Sequence, residues 1–310
     1  MRALTVWLVK AALTAALLTW LLSRPGVRDG LESLGTLTPG WLVIGFLTAG
    51  LSLALAALRW HLCLKTAKVP LPFLTVLRLT LISTAAGFLS IGTLGADAVR
   101  VALAARRWPT GKAALLGSIG LDHVSAAPAF AFMALLVLST AGVEFHTGPW
   151  TALALVAAAA GFFAIGLLLR RFHRATHDRL RSFLMEPATR AGFGKAALLS
   201  VPVMLSHYAV FFCAAKALGV HINPVTFAAA ASAADVAGSL PLTIAGLGVR
   251  EKTFETLLGY WENVPAAAAI ALSLAGLGLI LLWGVIGAIF FFFEPVAPAT
   301  TASPSPSPAA

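Results

Sequence analysis

The sequence predicts an all-α polytopic membrane protein of about six full spans plus two broken or re-entrant elements, eight hydrophobic segments in all, with its halves related as an inverted repeat. Three observations carry this. The 310 residues are 59% hydrophobic and 11% charged with mean hydropathy +0.90, more apolar surface than a water-soluble globule can hide. The apolar residues fall in runs close to the roughly 20 that a helix needs to cross a bilayer. Two of the runs are broken by glycine and then by charge.

In chain order, full spans are expected at 3–23, 40–62, 113–140, 149–169, 196–218 and 266–293, with less regular apolar segments at 73–95 and 224–246. The first run, with Arg2 and Lys10, ends in Leu21-Leu22-Ser23-Arg24-Pro25 without a small-x-small cleavage pattern, so it reads as an uncleaved helix. Residues 1–293 form one integral membrane domain. The stretch 294–310, ending PVAPATTASPSPSPAA, has nothing to bury and reads as a disordered tail.

The formal charge of +10 would suggest nucleic acid in a soluble protein, but here the basic residues cluster between apolar spans. That pattern reports topology, with anionic lipid contact second, and no nucleic-acid partner is expected. Segment 170–195 carries Arg170, Arg171, Arg174, Arg179, Arg181, Arg190 and Lys195, whereas 141–149 has no lysine or arginine. The former is therefore cytoplasmic and the latter external, in a multi-pass protein of the cell membrane with its N-terminus in the cytoplasm. Segments 97–112 and 59–68 are then cytoplasmic as well, so 73–95 has both flanks on one side and must be a re-entrant hairpin. The alternative is eight full spans with the N-terminus outside, which leaves Arg59, Lys65 and Lys68 external.

The halves resemble each other. Cys63, Lys65, Pro72, Gly87, Leu89, Gly95 and Arg100 recur as Cys213, Lys216, Pro224, Gly238, Leu240, Gly246 and Arg250, offset by about 150 residues. Three full spans in the first half would invert the second, so the two broken elements would enter from opposite faces and share one cavity, as in transporters built from inverted repeats.

The charged residues of these elements are the candidate site. After the break at Gly92 to Gly95, Asp97 and Arg100 stand at i, i+3 on one helical face. Asp97 can cap the helix that follows, and Arg100 offers planar donors suited to phosphate. In the second element Pro241, Gly246 and Gly248 interrupt the run, and a polar helix begins near Val249 with Arg250 and Glu251. Adjacent helical residues point about 100° apart, so one of these two meets ligand while the other meets protein. Asp122 lies inside an apolar run, where a carboxylate costs about 2.5 to 3.5 kcal/mol and needs a partner. His123 beside it makes a proton-linked role conceivable. Asp235 belongs to a polar stripe with Ser232 and Ser239. Arg59, Trp60, His61 and Lys65 close the second span in the manner of interface anchors.

No metal, cofactor or catalytic constellation is expected. The seven histidines show no paired ligand spacing, no P-loop or dinucleotide fingerprint occurs, and no serine elbow is present. Cys63 and Cys213 read as packing residues.

The stretch GFLSIGTLGADAVRVALAARR, then Leu121-Asp122-His123, then LPLTIAGLGVRE, together resemble the lysylphosphatidylglycerol synthase transmembrane region, or flippase-like domain, over roughly 3–293. The resemblance implies a lipid-handling membrane domain, fused in some members to an aminoacyl-transferase. This sequence departs from the family pattern at Ser90, Ile91 and Ala96, and it has His123 where an arginine is usual after the aspartate. No transferase sequence follows residue 293, so the expected activity is translocation of a lipid headgroup, phospholipid or polyprenyl-linked, and not an enzymatic reaction. Asp97, Arg100, Asp122, His123, Asp235, Arg250 and Glu251 would line the headgroup path. The alternative is a non-catalytic partner or scaffold of a separate lipid- or glycan-modifying enzyme.

Overall fold

Eight helices run through the described residues of the computed structural model, which are 37–89, 93–108, 111–140, 186–239 and 246–293 together with Thr19. They are α1 (Pro39–Thr66), α2 (Phe73–Leu89), α3 (Thr93–Arg107), α4 (Lys112–Thr140), α5 (Pro187–Ala217), α6 (Pro224–Ser239), α7 (Val249–Glu262) and α8 (Ala266–Phe292). No strand occurs among these residues. The spans expected at 3–23 and 149–169, the loop 141–149, most of the basic segment 170–195 and the tail 294–310 lie outside them.

The expected spans at 40–62, 113–140 and 266–293 coincide with α1, α4 and α8. Helix α5 begins nine residues before the expected 196 because Pro187 sets a helical first turn, drawing Arg190 and Lys195 into the helix. Helices α1, α5 and α8 are long and apolar enough to cross a membrane. Their outward faces carry Leu47, Leu51, Leu198, Leu281, Val285 and Ile289, as lipid contact requires. Small residues close the inward contacts. A Cβ at Gly287 would overlap the Leu81 carbonyl of α2, and one at Gly276 would overlap the Phe211 ring of α5.

Helices α1 and α5 are antiparallel. The Thr38 N–H donates to the Ala217 carbonyl at 2.9 Å, the Ser52 hydroxyl to the Val203 carbonyl at 3.4 Å, and Arg59 to the Ser200 hydroxyl at 3.2 Å. The C-terminus of α1 therefore lies at the N-terminal end of α5. From each of these C-termini a short broken element starts, so the two elements enter the bundle from opposite ends.

Both elements turn back. Along α6 and α7, Phe227 stacks on Phe254 with centroids 5.8 Å apart, Arg250 approaches Asp235 at 3.9 Å, and the Gly238 and Gly246 backbones touch next to the break. In the first half, Val76 and Leu79 of α2 share a buried cluster with Leu103 and Ala104 of α3 and with Trp60 and Leu64 at the end of α1. The end of α3 thus returns to the start of α2. A 16- or 17-residue helix spans only about 25 Å, short of a full crossing. The paired return supports the hairpin reading over eight full spans.

The halves match in detail at an offset of 151. The Ala67 and Leu218 N–H groups donate to the Cys63 and Ala214 carbonyls at 2.9 and 3.1 Å; Val69 and Val220 then reach Leu64 and Ala215, both at 2.9 Å. Between them Lys68 (φ 59°) and Gly219 (φ 70°) both take the left-handed conformation that ends a helix. This register aligns Gly87 with Gly238 and Gly95 with Gly246. It replaces three of the expected equivalences, since Cys63 falls opposite Ala214, Pro72 opposite Asn223 and Arg100 opposite Glu251.

Candidate functional site

Helix α3 starts at Thr93, four residues before Asp97, so of the two roles open to this aspartate it does not cap the helix but sits inside it with its carboxylate free to pair. Asp97 Oδ1 is 3.7 Å from Arg100 Nη1, and Asp97 Oδ2 is 2.7 Å from His123 Nε2 on α4. Asp122 holds two guanidinium groups: Arg59 Nε donates to Oδ1 at 2.7 Å, and Arg100 Nη1 donates to Oδ2 at 3.4 Å. The Arg100 guanidinium also lies 4.8 Å from the centre of the Trp60 ring, whose Nε1–H donates to Ser118. Asp122 stands ten residues into α4, about 15 Å along the axis, and its side chain is only 6% exposed. Two cations and two carboxylates close on one another there, which is what an intramembrane charge requires.

The second cluster forms around Asp235 on α6. Its Oδ2 is 3.2 Å from His207 Nε2 on α5, and its Oδ1 is 3.9 Å from Arg250 Nε at the start of α7. The Arg250 guanidinium faces the Phe211 ring at 5.7 Å. Trp60 and Phe211 are equivalent at the 151-residue offset, and each half lays an arginine over that ring, although Arg100 and Arg250 stand 150 residues apart, one short of the register. Arg100 Nε and Arg250 Nε are buried without a hydrogen-bond partner. Such groups are costly and mark a place where another acceptor can enter. The Ser232 and Ser239 hydroxyls, grouped with Asp235 by spacing, donate to carbonyls of their own helix.

Glu251 does not join the cluster. It is fully buried; one oxygen accepts the Gly248 N–H at 2.6 Å and the other accepts the Ser273 hydroxyl at 2.9 Å. Gly248 (φ 86°) and Gly246 (φ 74°) supply the turn that begins α7. The 100° divergence of Arg250 and Glu251 thus sends the arginine to the cluster and the glutamate to the protein.

Helix α5 links the two clusters. Ser200 serves the first and His207 the second; seven residues apart, they share one helical face and are separated by about 10 Å of rise. Of the seven sequence-predicted residues, Asp97, Arg100, Asp122 and His123 meet in one cluster, and Asp235 and Arg250 in the other. Arg59, Ser200, His207 and Tyr208 were not anticipated. Arg59 and Trp60 had the composition of an interface anchor, yet Trp60 is fully buried and Arg59 is the nearest cation to Asp122. The signal that could have found Arg59 is the demand of Asp122 for a counter-charge.

A family profile described as the lysylphosphatidylglycerol synthase TM region matches residues 7–297. The chain belongs to this family. It is a membrane protein of a family named for lipid metabolism, and the segments that carried the resemblance are those that build the two clusters. In this member of the lysylphosphatidylglycerol synthase TM family, Arg59 and Arg100 supply the guanidinium contacts to Asp122. Among curated proteins, none matches the sequence significantly.

Proposed function

We propose that the protein is a lipid translocase of the cytoplasmic membrane, with its N-terminus in the cytoplasm, that moves an anionic headgroup past the two clusters while the acyl chains stay in the bilayer. The observation that carries this reading is the pair Arg100 and Arg250. Each lies beside the break of an opposed re-entrant element, over an aromatic ring, with a buried Nε that has no acceptor. A guanidinium in that state is suited to a phosphate oxygen. The helix breaks provide the irregular backbone that tolerates a polar path at membrane depth. No covalent step enters the proposal.

Reconstitution into liposomes with fluorescent phospholipids tests it. Arg250→Ala should slow headgroup movement about 10- to 100-fold, the equivalent of one charged hydrogen bond. Equal rates in wild type, Arg100→Ala and Arg250→Ala would count against this site. A second reading, a scaffold for a separate lipid-modifying enzyme, is favoured by the internal closure of the first cluster. It expects these substitutions to lower folded yield without a separate transport defect.

A further inference from the structure

With neutral imidazoles both clusters are uncharged overall: Arg59 and Arg100 stand against Asp97 and Asp122, and Arg250 stands against Asp235. A headgroup phosphate brings one negative charge into a region where an uncompensated charge is expensive. Arg250 is the group placed to receive it, because its Nε lacks an acceptor and its contact with Asp235 is long, at 3.9 Å. Once the phosphate takes Arg250, Asp235 loses its cation. His207 faces the other oxygen of that carboxylate at 3.2 Å, and histidine is the side chain whose charge ordinarily changes near neutral pH.

Resting on the reading that the protein moves lipid, we propose that each anionic headgroup travels with one proton, and that His207 accepts this proton as the phosphate displaces Asp235 from Arg250. With Nε2–H directed at Asp235, the added proton binds the lone pair of Nδ1. The imidazolium takes Asp235 as its counter-ion, Arg250 takes the phosphate, and the loaded cluster is again uncharged. The proton enters from the acidic aqueous face and leaves to the alkaline one; only an N–H bond forms and breaks.

Among the described residues, the groups around His207 leave this role to it. Helix α8 carries no titratable side chain, and Asp235 is the only one on α6. On α7, Glu251 is consumed by Gly248 and Ser273, Lys252 pairs with Glu255, and Arg250 alone turns to the cluster. Among the described residues of α1 and α4, Arg59 is held by Asp122 and by Ser200, which stands two turns from His207 along α5. Cys213 is on the same helix, six residues further on, and the buried Tyr208 hydroxyl adjoins the cluster. His123 makes a similar pair with Asp97, but there Asp122 already engages both guanidinium groups and no cation is released by loading.

Two measurements test the coupling. In liposomes of phosphatidylcholine with trace fluorescent phosphatidylglycerol, one pH unit across the membrane should draw the probe to the leaflet on the alkaline side at a ratio approaching tenfold, the limit for one proton per monoanion. Wild-type movement indifferent to the pH gradient overturns the coupling and leaves translocation standing; no movement in wild type overturns both. In detergent, dihexanoyl-phosphatidylglycerol added to weakly buffered wild-type protein at pH 7 should cause uptake of about one proton per lipid bound, by the 1:1 charge balance at this cluster. His207→Gln should lose that uptake, as should wild type given dihexanoyl-phosphatidylcholine, whose headgroup carries its own cation. Undiminished uptake in His207→Gln overturns the assignment, and equal uptake with inorganic phosphate overturns a lipid as the cargo.

Discussion

Asp122→Asn removes the charge that two buried guanidinium groups share while keeping the shape of the side chain. Arg59 loses a 2.7 Å partner and Arg100 a 3.4 Å one; both side chains are 14% exposed, so water compensates little. Deleting one member of a buried ion pair costs about 3 to 5 kcal/mol. Arg59 keeps Ser200 at 3.2 Å and Arg100 keeps Asp97 at 3.7 Å, which points to the lower end, about 3 kcal/mol. In a chain of this size that corresponds to a fall of about 5 °C in Tm. Intrinsic tryptophan fluorescence in detergent would follow it, since Trp60 lies against Arg100. Glu186→Gln is the control: its pair with Lys68 is exposed, at 76% and 40%, and such pairs contribute about 0 to 1 kcal/mol. The double variant Arg59→Met, Asp122→Asn should fall less than the sum of the two single changes, because no orphaned pair remains. A shift for Asp122→Asn no larger than the control, or strict additivity, would refute a buried network.

Further outcomes follow from the same contacts. Gly287→Ala should cut the yield of folded protein sharply, since the added methyl meets the Leu81 backbone and not a movable side chain; normal yield and Tm would mean that α2 and α8 do not approach as described. Glu251→Gln should lower stability by about 1 to 3 kcal/mol through loss of charged hydrogen bonds to Gly248 and Ser273. Transport per folded molecule should stay near wild type, and a transport loss at full stability would return Glu251 to the headgroup path. Lys68→Gly should raise Tm slightly, by about 1 kcal/mol of relieved left-handed strain; a fall would show that the turn differs from its Gly219 counterpart. With single cysteines replacing Lys65, Trp108 and His221, an impermeant thiol reagent should label the first two from one side and the third from the other. Opposite-side labelling of 65 and 108 would sink the first hairpin.

Much of the site was legible because membrane burial makes charge conspicuous. Asp122 stood out in an apolar run, and Asp97, Arg100, Asp235 and Arg250 stood next to glycine breaks; these five, and His123, were recognisable as types that a bilayer does not tolerate alone. Arg59 and His207 were less so. An arginine beside tryptophan at a span end has the same local sequence whether it faces lipid headgroups or a carboxylate 63 residues away. Glu251 was misassigned for the complementary reason: its neighbour Arg250 marks the site, and only the position of Ser273, 22 residues on, shows the glutamate engaged elsewhere.

The sequence by itself determined the class, the approximate positions of the four long helices among the described residues, the two breaks and an approximate repeat, since these depend on hydrophobic run length, glycine and charge sign, all local quantities. The tertiary structure decided which end of the bundle each broken element enters, the 151-residue register, and the sorting of the charges into one cluster doubly paired about Asp122 and one whose arginine has only a long contact with Asp235. Those depend on the antiparallel apposition of α1 and α5, and pairing across 140 or more residues leaves no trace in local composition.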